Sequence, residues 1–408
     1  MNCGLLGRKL GHSYSPQIHG YLGDYSYRLF EKEPEELADF LRHGDFTGLN
    51  VTIPYKKEVI PFLDELSDTA RKMESVNTIL RRKDGTLFGH NSDYFGFCSL
   101  VRHSGMGPAG KKVLVLGSGG TSAMAQCALT DMGARVIVIS RSGPDNYGNL
   151  ERHADAAMVV NATPLGMYPN VGTAALDLRA FPRLEGVLDV VYNPARTALL
   201  LQAEQLHIPC ANGLWMLVAQ AKEAAEYFTG RAIDDSVIEK IYGRLSAQME
   251  NIVLIGMPGC GKSTVGAILA EKTGRTLLDA DERICELAGK SIPEIFAQDG
   301  EAAFRQWETE ALREFGMQSG RILATGGGCV TQSRNYPLLH QNGRIFYLTR
   351  DLDRLPTDGR PLSQANPLAE LYAARKGLYE AFADMTVDNN GRAQDTAETI
   401  LNALEGSL

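Results

Sequence analysis

The chain has 408 residues, more than one hydrophobic core organises, so two or three domains are expected. A hydrophobic fraction of 44% with 22% charged residues excludes a disordered or low-complexity protein. A net charge of -8 argues against nucleic acid as the main partner and leaves room for local basic pockets that hold phosphates.

No apolar run reaches the length of a bilayer span, and the first residues lack the pattern of a secretory signal. The cytoplasm is therefore the expected location, with no membrane partner. Cys3, Cys98, Cys127, Cys210, Cys260, Cys285 and Cys329 are scattered, odd in number and without metal-ligand spacing, which suits reduced thiols. His12 and His19 lack a suitably spaced cysteine or acidic partner, so no zinc site is expected.

In chain order, residues 1–100 read as a first α/β domain. Phe46–Thr52 reads as a strand ending at Pro54, 57–66 and 67–75 as short helical pieces, and Glu74–Leu80 as the entry to another strand, with a turn at Asp84-Gly85. Residues 101–233 hold apolar runs at 112–116, 135–139, 157–160, 187–191 and 208–211, which suit the buried strands of a parallel sheet. A helix over 214–228, ending near Gly230, packs back on the first domain. Residues 234–249 read as a helical linker, with no Gly/Ser-rich or proline-rich stretch. Residues 250–408 predict strands at 251–255, 276–279, 322–325 and 344–348, and helices at 262–272, 302–315 and 367–384. The fold class is α/β throughout: an α/β substrate domain, a Rossmann-like dinucleotide domain, and a P-loop domain around a central parallel sheet.

Each half carries a glycine-rich turn after a strand. Gly117-Ser118-Gly119-Gly120 follows the run Lys112–Leu116 and precedes a helix-compatible stretch. Small residues let that turn approach a pyrophosphate, and the next helix offers free amides to it. After the following strand, Ser140-Arg141-Ser142 stands where an NAD site often has an acidic residue. Arg141 suits a 2′-phosphate, with Ser140 or Ser142 assisting, which favours NADP(H). Asn50–Lys56 and Asn91-Ser92-Asp93 each place polar groups at an element end. Lys56 and Asp93 can bracket a hydroxyl or carbonyl, the lysine handling a proton and the aspartate orienting it. A surface ion pair is the competing reading from periodicity alone.

These residues carry a resemblance to the shikimate dehydrogenases over residues 1 to about 245. Its motifs are Ser13-Tyr14-Ser15-Pro16, Asn50–Lys56, Val76-Asn77-Thr78, Asn91-Ser92-Asp93, Asn161-Ala162-Thr163-Pro164-Leu165-Gly166-Met167, Asp189–Pro194 with Thr197, and Gly213–Gln220. The resemblance implies reversible reduction of 3-dehydroshikimate to shikimate with NADPH. It makes Lys56 and Asp93 the catalytic pair. Ser13, Ser15, Thr52, Asn77 and Gln220 would hold substrate, and Thr163, Met167 and Gly213 would line the cofactor. The chain departs from the family at Ser92, where threonine is usual, at Tyr94, where glycine is usual, and at Asn212, a position often acidic. The interval from Arg141 to Asn161 is also short, so part of one α/β excursion is expected to be missing.

The second turn, Gly256-Met257-Pro258-Gly259-Cys260-Gly261-Lys262-Ser263 followed by Thr264, is a complete P-loop. Its amides surround a β-phosphate, Lys262 reaches the β/γ oxygens, and Ser263 ligates Mg²⁺. Cys260 reads as a small spacer, open to alkylation if exposed. Downstream, Asp281 can orient an acceptor hydroxyl, Arg305 can pair with a carboxylate, and Gly326-Gly327-Gly328 let the backbone contact a compact polyol. This order resembles the shikimate kinases over nearly all of 250–408. The resemblance makes Asp279 a carboxylate of the Mg²⁺ shell, Arg375 a second substrate arginine, and Arg360-Pro361-Leu362 a lid segment whose arginine reaches ATP. It implies transfer of the ATP γ-phosphate to the shikimate 3-hydroxyl. Two arginines suit an acidic cyclitol.

The expected partners are the small molecules 3-dehydroshikimate and shikimate, for a monomer or a homodimer. The competing readings are an active kinase fused either to a quinate-specific dehydrogenase or to a noncatalytic metabolite-binding module. Trp215 and Met216 are expected in the core or a pocket wall.

Overall fold

A computed structural model describes residues 1–11, 13–355 and 368–405. His12, the lid segment with Arg360-Pro361-Leu362, and the turn residues before it lie outside the described residues. The chain divides into two compact units, Met1–Tyr192 with Leu199–Gly243, and Asn193–Ala198 with Arg244–Leu408.

The first unit holds two sheets. One has six strands in the order β2-β1-β3-β5-β6-β4, being Ser26–Glu31, Asn2–Gly7, Gly48–Val51, Thr78–Arg81, Leu87–His90 and Glu65–Leu66. Its β1–β3 pairing is parallel and its β3–β5–β6 pairing antiparallel. Leu6, Leu41, Phe46, Leu49, Tyr55 and Ile79 form its core. The expected helix over 57–66 is not there. Instead a short 3-10 turn at Ile60–Phe62 leads into β4, which pairs with Phe88 and Gly89. Pro61 has no N–H for a helix interior, and the Asp64 carboxylate accepts the Leu87 amide at 2.7 Å, which draws this backbone onto the sheet edge. The helix expected over 67–75 forms as Asp68–Met73, capped by Ser67.

The other sheet is parallel, in the order β11-β10-β9-β7-β8: Cys210–Ala211, Gly186–Asp189, Met158–Asn161, Lys112–Leu116 and Arg135–Ile139. The alternation of β7 explains its burial on both faces. Val113 and Val115 pack with Met124, Ala128 and Leu129 on one side, and Leu114 and Leu116 with Leu199, Leu200 and Phe181 on the other. The strand reading at 187–191 shifts to 186–189, and 208–211 shrinks to two residues at the edge. Between β8 and β9 the chain makes only a 3-10 turn, Leu150–His153, so the short interval lacks a crossover α-helix. Strand order reverses beside β7, and in such sheets ligands bind outside the carboxyl ends at that point.

The second unit contains a parallel sheet, β13-β14-β12-β15-β16: Leu277–Asp279, Ile322–Ala324, Asn251–Ile255, Gly343–Thr349 and Met385–Asp388. Every residue of β12 is fully buried. Its one polar member, Asn251, donates to Gln318 O at 2.7 Å and accepts the Arg321 amide at 2.8 Å, which satisfies the buried amide. The helix Lys262–Thr273 stops where Gly274 enters the left-handed region at φ 70°. The helix Ser236–Met249 spans the division between the units.

Candidate functional site

The first unit has a polar cavity of about 280 Å³. Ser13, Ser15, Thr52, Lys56, Asn77, Asp93, Gly213 and Gln220, from five separate stretches of the expected site, all line it. Lys56 Nζ donates to Asp93 Oδ2 at 2.5 Å, and both side chains keep partial exposure, at 27% and 18%. Local chemistry sets each partner. Val76 N donates to Lys56 O at 2.8 Å, tying the lysine turn to the next strand. Asp93 opens the helix Asp93–His103, and its amide donates to Asn91 Oδ1 at 3.1 Å. Asn77 is buried, accepts the Ser92 amide at 2.7 Å and donates to Ser92 Oγ at 3.1 Å, which ties the Ser92 hydroxyl into the site wall. Gln220 approaches because Gly96 has no side chain: a Cβ there would stand 2.7 Å from Met216 O.

The glycine turn lies at the carboxyl end of β7. Gly117 adopts φ 108°, and a Cβ there would lie 2.8 Å from Thr163 Cγ2, so glycine permits both the turn and the approach of the Thr163 segment. Ser118, Gly119 and Gly120 are exposed at the start of the helix Gly120–Asp131, a place where amides meet an anion. Arg141 is exposed just past β8 and makes no ion pair with a carboxylate among the described residues. Ser140 is buried, and its amide donates to Asp145 O. Met167 is 46% exposed, unusual for a large apolar side chain. The signature residues Asn161 and Asp189 act as clamps. Asn161 Nδ2 donates to Asp189 Oδ1 at 2.9 Å, and Asn161 Oδ1 accepts from Thr163 Oγ1 at 2.7 Å.

The second unit has a cavity of about 470 Å³ lined by P-loop residues, Asp279, Asp281, Arg305, the three glycines and Arg375. Gly256, Gly259 and Gly261 all have positive φ, so the loop needs glycine there. Lys262 Nζ donates to Gly256 O at 3.0 Å and Met257 O at 3.1 Å. Ser263 Oγ donates to Asp279 Oδ2 at 2.8 Å, and Asp279 Oδ1 accepts the Asp281 amide at 2.9 Å. This hard oxygen pair fits Mg²⁺. Cys260 is fully buried in the core, so its side chain is a spacer and lies out of reach of a soluble alkylating agent.

Arg305 is buried. It donates to Glu308 Oε2 at 2.8 Å and to Glu301 Oε1 at 3.0 Å. Burial alone pulls the guanidinium down, but Glu308 and Glu301 hold it above its ordinary range. Burial pushes the Glu308 carboxyl up, with Arg305 opposing. The crowding is tight: a Cβ on Gly328 would stand 2.2 Å from Arg305 Nη1, and one on Gly326 would stand 2.7 Å from Glu308 Oε1. Arg375 Nη1 donates to Gly327 O at 3.1 Å, and the Tyr379 hydroxyl donates to the same oxygen.

Sequence reasoning missed Tyr192 and Thr121 in the first cavity, and Phe296, Glu308, Thr325 and Arg350 in the second. The i, i+3 spacing of Arg305 and Glu308 was the available signal for Glu308. Tyr192 lies within the Asp189–Pro194 motif, and nothing local marked the others.

The shikimate dehydrogenase substrate-binding family model matches residues 5–79, and the shikimate kinase model matches residues 258–405. A shikimate dehydrogenase (NADP(+)) of Clostridium perfringens is 34% identical over 267 residues, covering 60% of this chain and 98% of that protein. The chain belongs to the shikimate dehydrogenase family. Joined to this dehydrogenase part it carries a shikimate kinase domain. The solved structure of shikimate dehydrogenase 1 from Peptoclostridium difficile is 34% identical with a TM-score of 0.55, covering 60% of this chain and 97% of that one. A chorismate mutase/shikimate 5-dehydrogenase fusion protein from Clostridium acetobutylicum is 33% identical with a TM-score of 0.57, covering 60% and 96%. The dehydrogenase part thus aligns with nearly the whole length of its relatives.

Proposed function

We propose that the chain catalyses two consecutive steps, reducing 3-dehydroshikimate to shikimate with NADPH and phosphorylating shikimate with ATP. The carrying observation is that two polar cavities on one chain offer groups suited to the same hydroxylated acid. One presents the Lys56–Asp93 pair beside Ser13, Ser15 and Gln220. The other presents Asp281 with two buried arginines beside a P-loop.

In the first cavity Lys56 gives a proton to the carbonyl oxygen as charge develops there, and Asp93 holds the lysine and the resulting hydroxyl. The Gly117–Gly120 turn, Arg141, Thr163 and Met167 would hold NADPH, which would supply the hydride. In the second cavity Arg305 and Arg375 hold the substrate carboxylate, Asp281 aligns the hydroxyl and takes its proton, and Lys262 offsets charge on the transferring phosphoryl. Ser263 and Asp279 would hold Mg²⁺, which shields the phosphate oxygens when bound. Arg360, Gly256, Gly259, Cys260 through its backbone, and Thr264 complete the nucleotide site in this reading.

The domains proposed are 1–100 for substrate, 101–233 for cofactor, a helical linker at 234–249, and 250–408 for the kinase. Seven free cysteines support a reducing compartment, the cytoplasm. No helix among the described residues is long and apolar enough to cross a membrane.

The test is to supply the purified chain with 3-dehydroshikimate, NADPH, ATP and Mg²⁺ and to follow NADPH loss and product mass. Oxidation of NADPH together with shikimate 3-phosphate supports the pair. Phosphorylation of added shikimate without any reduction defeats the dehydrogenase half, and a rate on quinate exceeding that on shikimate defeats the substrate assignment.

A further inference from the structure

Arg350 sits one residue past β15, the strand that pairs with the P-loop strand β12 in register Tyr347 with Ile255. That places it at the carboxyl edge of the parallel sheet, where the P-loop also departs, and its side chain lines the 470 Å³ cavity. A Cβ on Gly261 would lie 3.9 Å from Arg350 Nη1, so the guanidinium borders the turn whose amides wrap phosphate. Its Nε is buried and has no hydrogen-bond partner among the described residues. Among the described residues no carboxylate pairs with it, whereas the other two arginines of the cavity are each satisfied, Arg305 by two glutamates and Arg375 by a carbonyl. Asn389 occupies the neighbouring position, its Nδ2 donating to Cys260 O at 2.6 Å, so this flank of the loop is held in place.

A buried donor without an acceptor, on a side chain of fixed charge, is costly unless a ligand supplies the oxygen. The geometry points to Arg350 as a nucleotide-binding residue of the kinase cavity, its guanidinium donating to the polyphosphate of ATP. This rests on the kinase reading above and adds a phosphate contact that the P-loop sequence does not contain. A guanidinium fork suits adjacent phosphate oxygens, and a point charge suits them less well.

The test compares wild type, Arg350→Ala and Arg350→Lys in the intact chain. ATP and shikimate are varied separately, inorganic tripolyphosphate serves as a base-free competitor, and ADP binding is read by calorimetry. Arg350→Ala should raise the KM for ATP at least about tenfold and weaken tripolyphosphate inhibition by a similar factor, the order one charge-assisted hydrogen bond carries. Arg350→Lys should recover part of the loss. The KM for shikimate, the reduction of 3-dehydroshikimate and the melting temperature should stay at wild-type values. An unchanged KM for ATP overturns the assignment, as does weaker ATP binding with unchanged tripolyphosphate inhibition, which would place the guanidinium on the base. If wild type binds ADP but phosphorylates nothing, the kinase reading fails, and the ADP titration still judges Arg350.

Discussion

The buried His19 contributes to the acid response of the first unit. His19 stacks on Tyr27 with ring centroids 4.0 Å apart and shares a 2.7 Å hydrogen bond with the Tyr25 hydroxyl. Burial pulls its pKa down to about 3, with Asn50 opposing. The unfolded chain binds a proton below about pH 6.5 that the folded chain refuses at His19, so the stability this residue contributes is fully present above that pH. As pH falls from there towards about 3, this contribution should be lost progressively, by at most roughly 1 kcal/mol per pH unit. Denaturant melts of wild type and His19→Gln across this window check it: the variant should show a flatter acid limb. The consequence reaches function because the Tyr27 hydroxyl donates to Asn50 Oδ1 at 2.7 Å, and Asn50 walls the first cavity.

At the scale of elements, both cavities depend on backbone brought closer than a side chain allows. A Cβ on Gly213 would lie 2.0 Å from Val190 O. Gly213 therefore sets how near the start of the helix Leu214–Thr229, with Met216, Leu217 and Gln220, comes to the end of β10. Gly213→Ala should destabilise the first unit by about 1–3 kcal/mol, as overpacking does, and lower kcat/KM for 3-dehydroshikimate. Melting curves and steady-state reduction rates measure both effects. Gly328 has an ordinary negative φ, so its constraint is purely the Arg305 guanidinium 2.2 Å from its would-be Cβ. Glu301 and Glu308 pin that guanidinium on its other side. Gly328→Ala should raise the KM for shikimate about tenfold or more while leaving the KM for ATP nearly unchanged; equal effects on both would refute this reading of Arg305.

Over the whole molecule, the two cavities share no lining residue, and each belongs to one unit. Their activities should then separate. Lys56→Ala should slow reduction by about 100-fold or more, the usual contribution of a positioned proton donor, and spare phosphorylation. Lys262→Ala should do the reverse. Chelation of divalent cations should likewise stop phosphorylation and leave NADPH oxidation running. Loss of both activities from either variant, with an unchanged melting curve, would contradict independent sites.

Local sequence settled what local physics controls. The strands Lys112–Leu116 and Asn251–Ile255 lie where their apolar runs predict, because a strand covered on both faces needs nothing but apolar residues. The glycines at 117, 256, 259 and 261 carry the positive φ that only glycine adopts freely. Family motifs also marked Lys56 and Asp93 as partners, although they stand 37 positions apart and only folding brings them to 2.5 Å. Other features were decided by tertiary structure alone. Residues 65–66 became a sheet edge because Phe88 and Gly89 offered backbone partners there, and long-range pairing overrode the local helical pattern. The i, i+3 spacing hints that Glu308 pairs with Arg305, yet only packing leaves it fully buried against that guanidinium. Arg350 resembles a strand-end charge until the P-loop closes beside it. Burial and the presence or absence of a partner are properties of the assembled chain, since desolvation depends on neighbours that the sequence places far away.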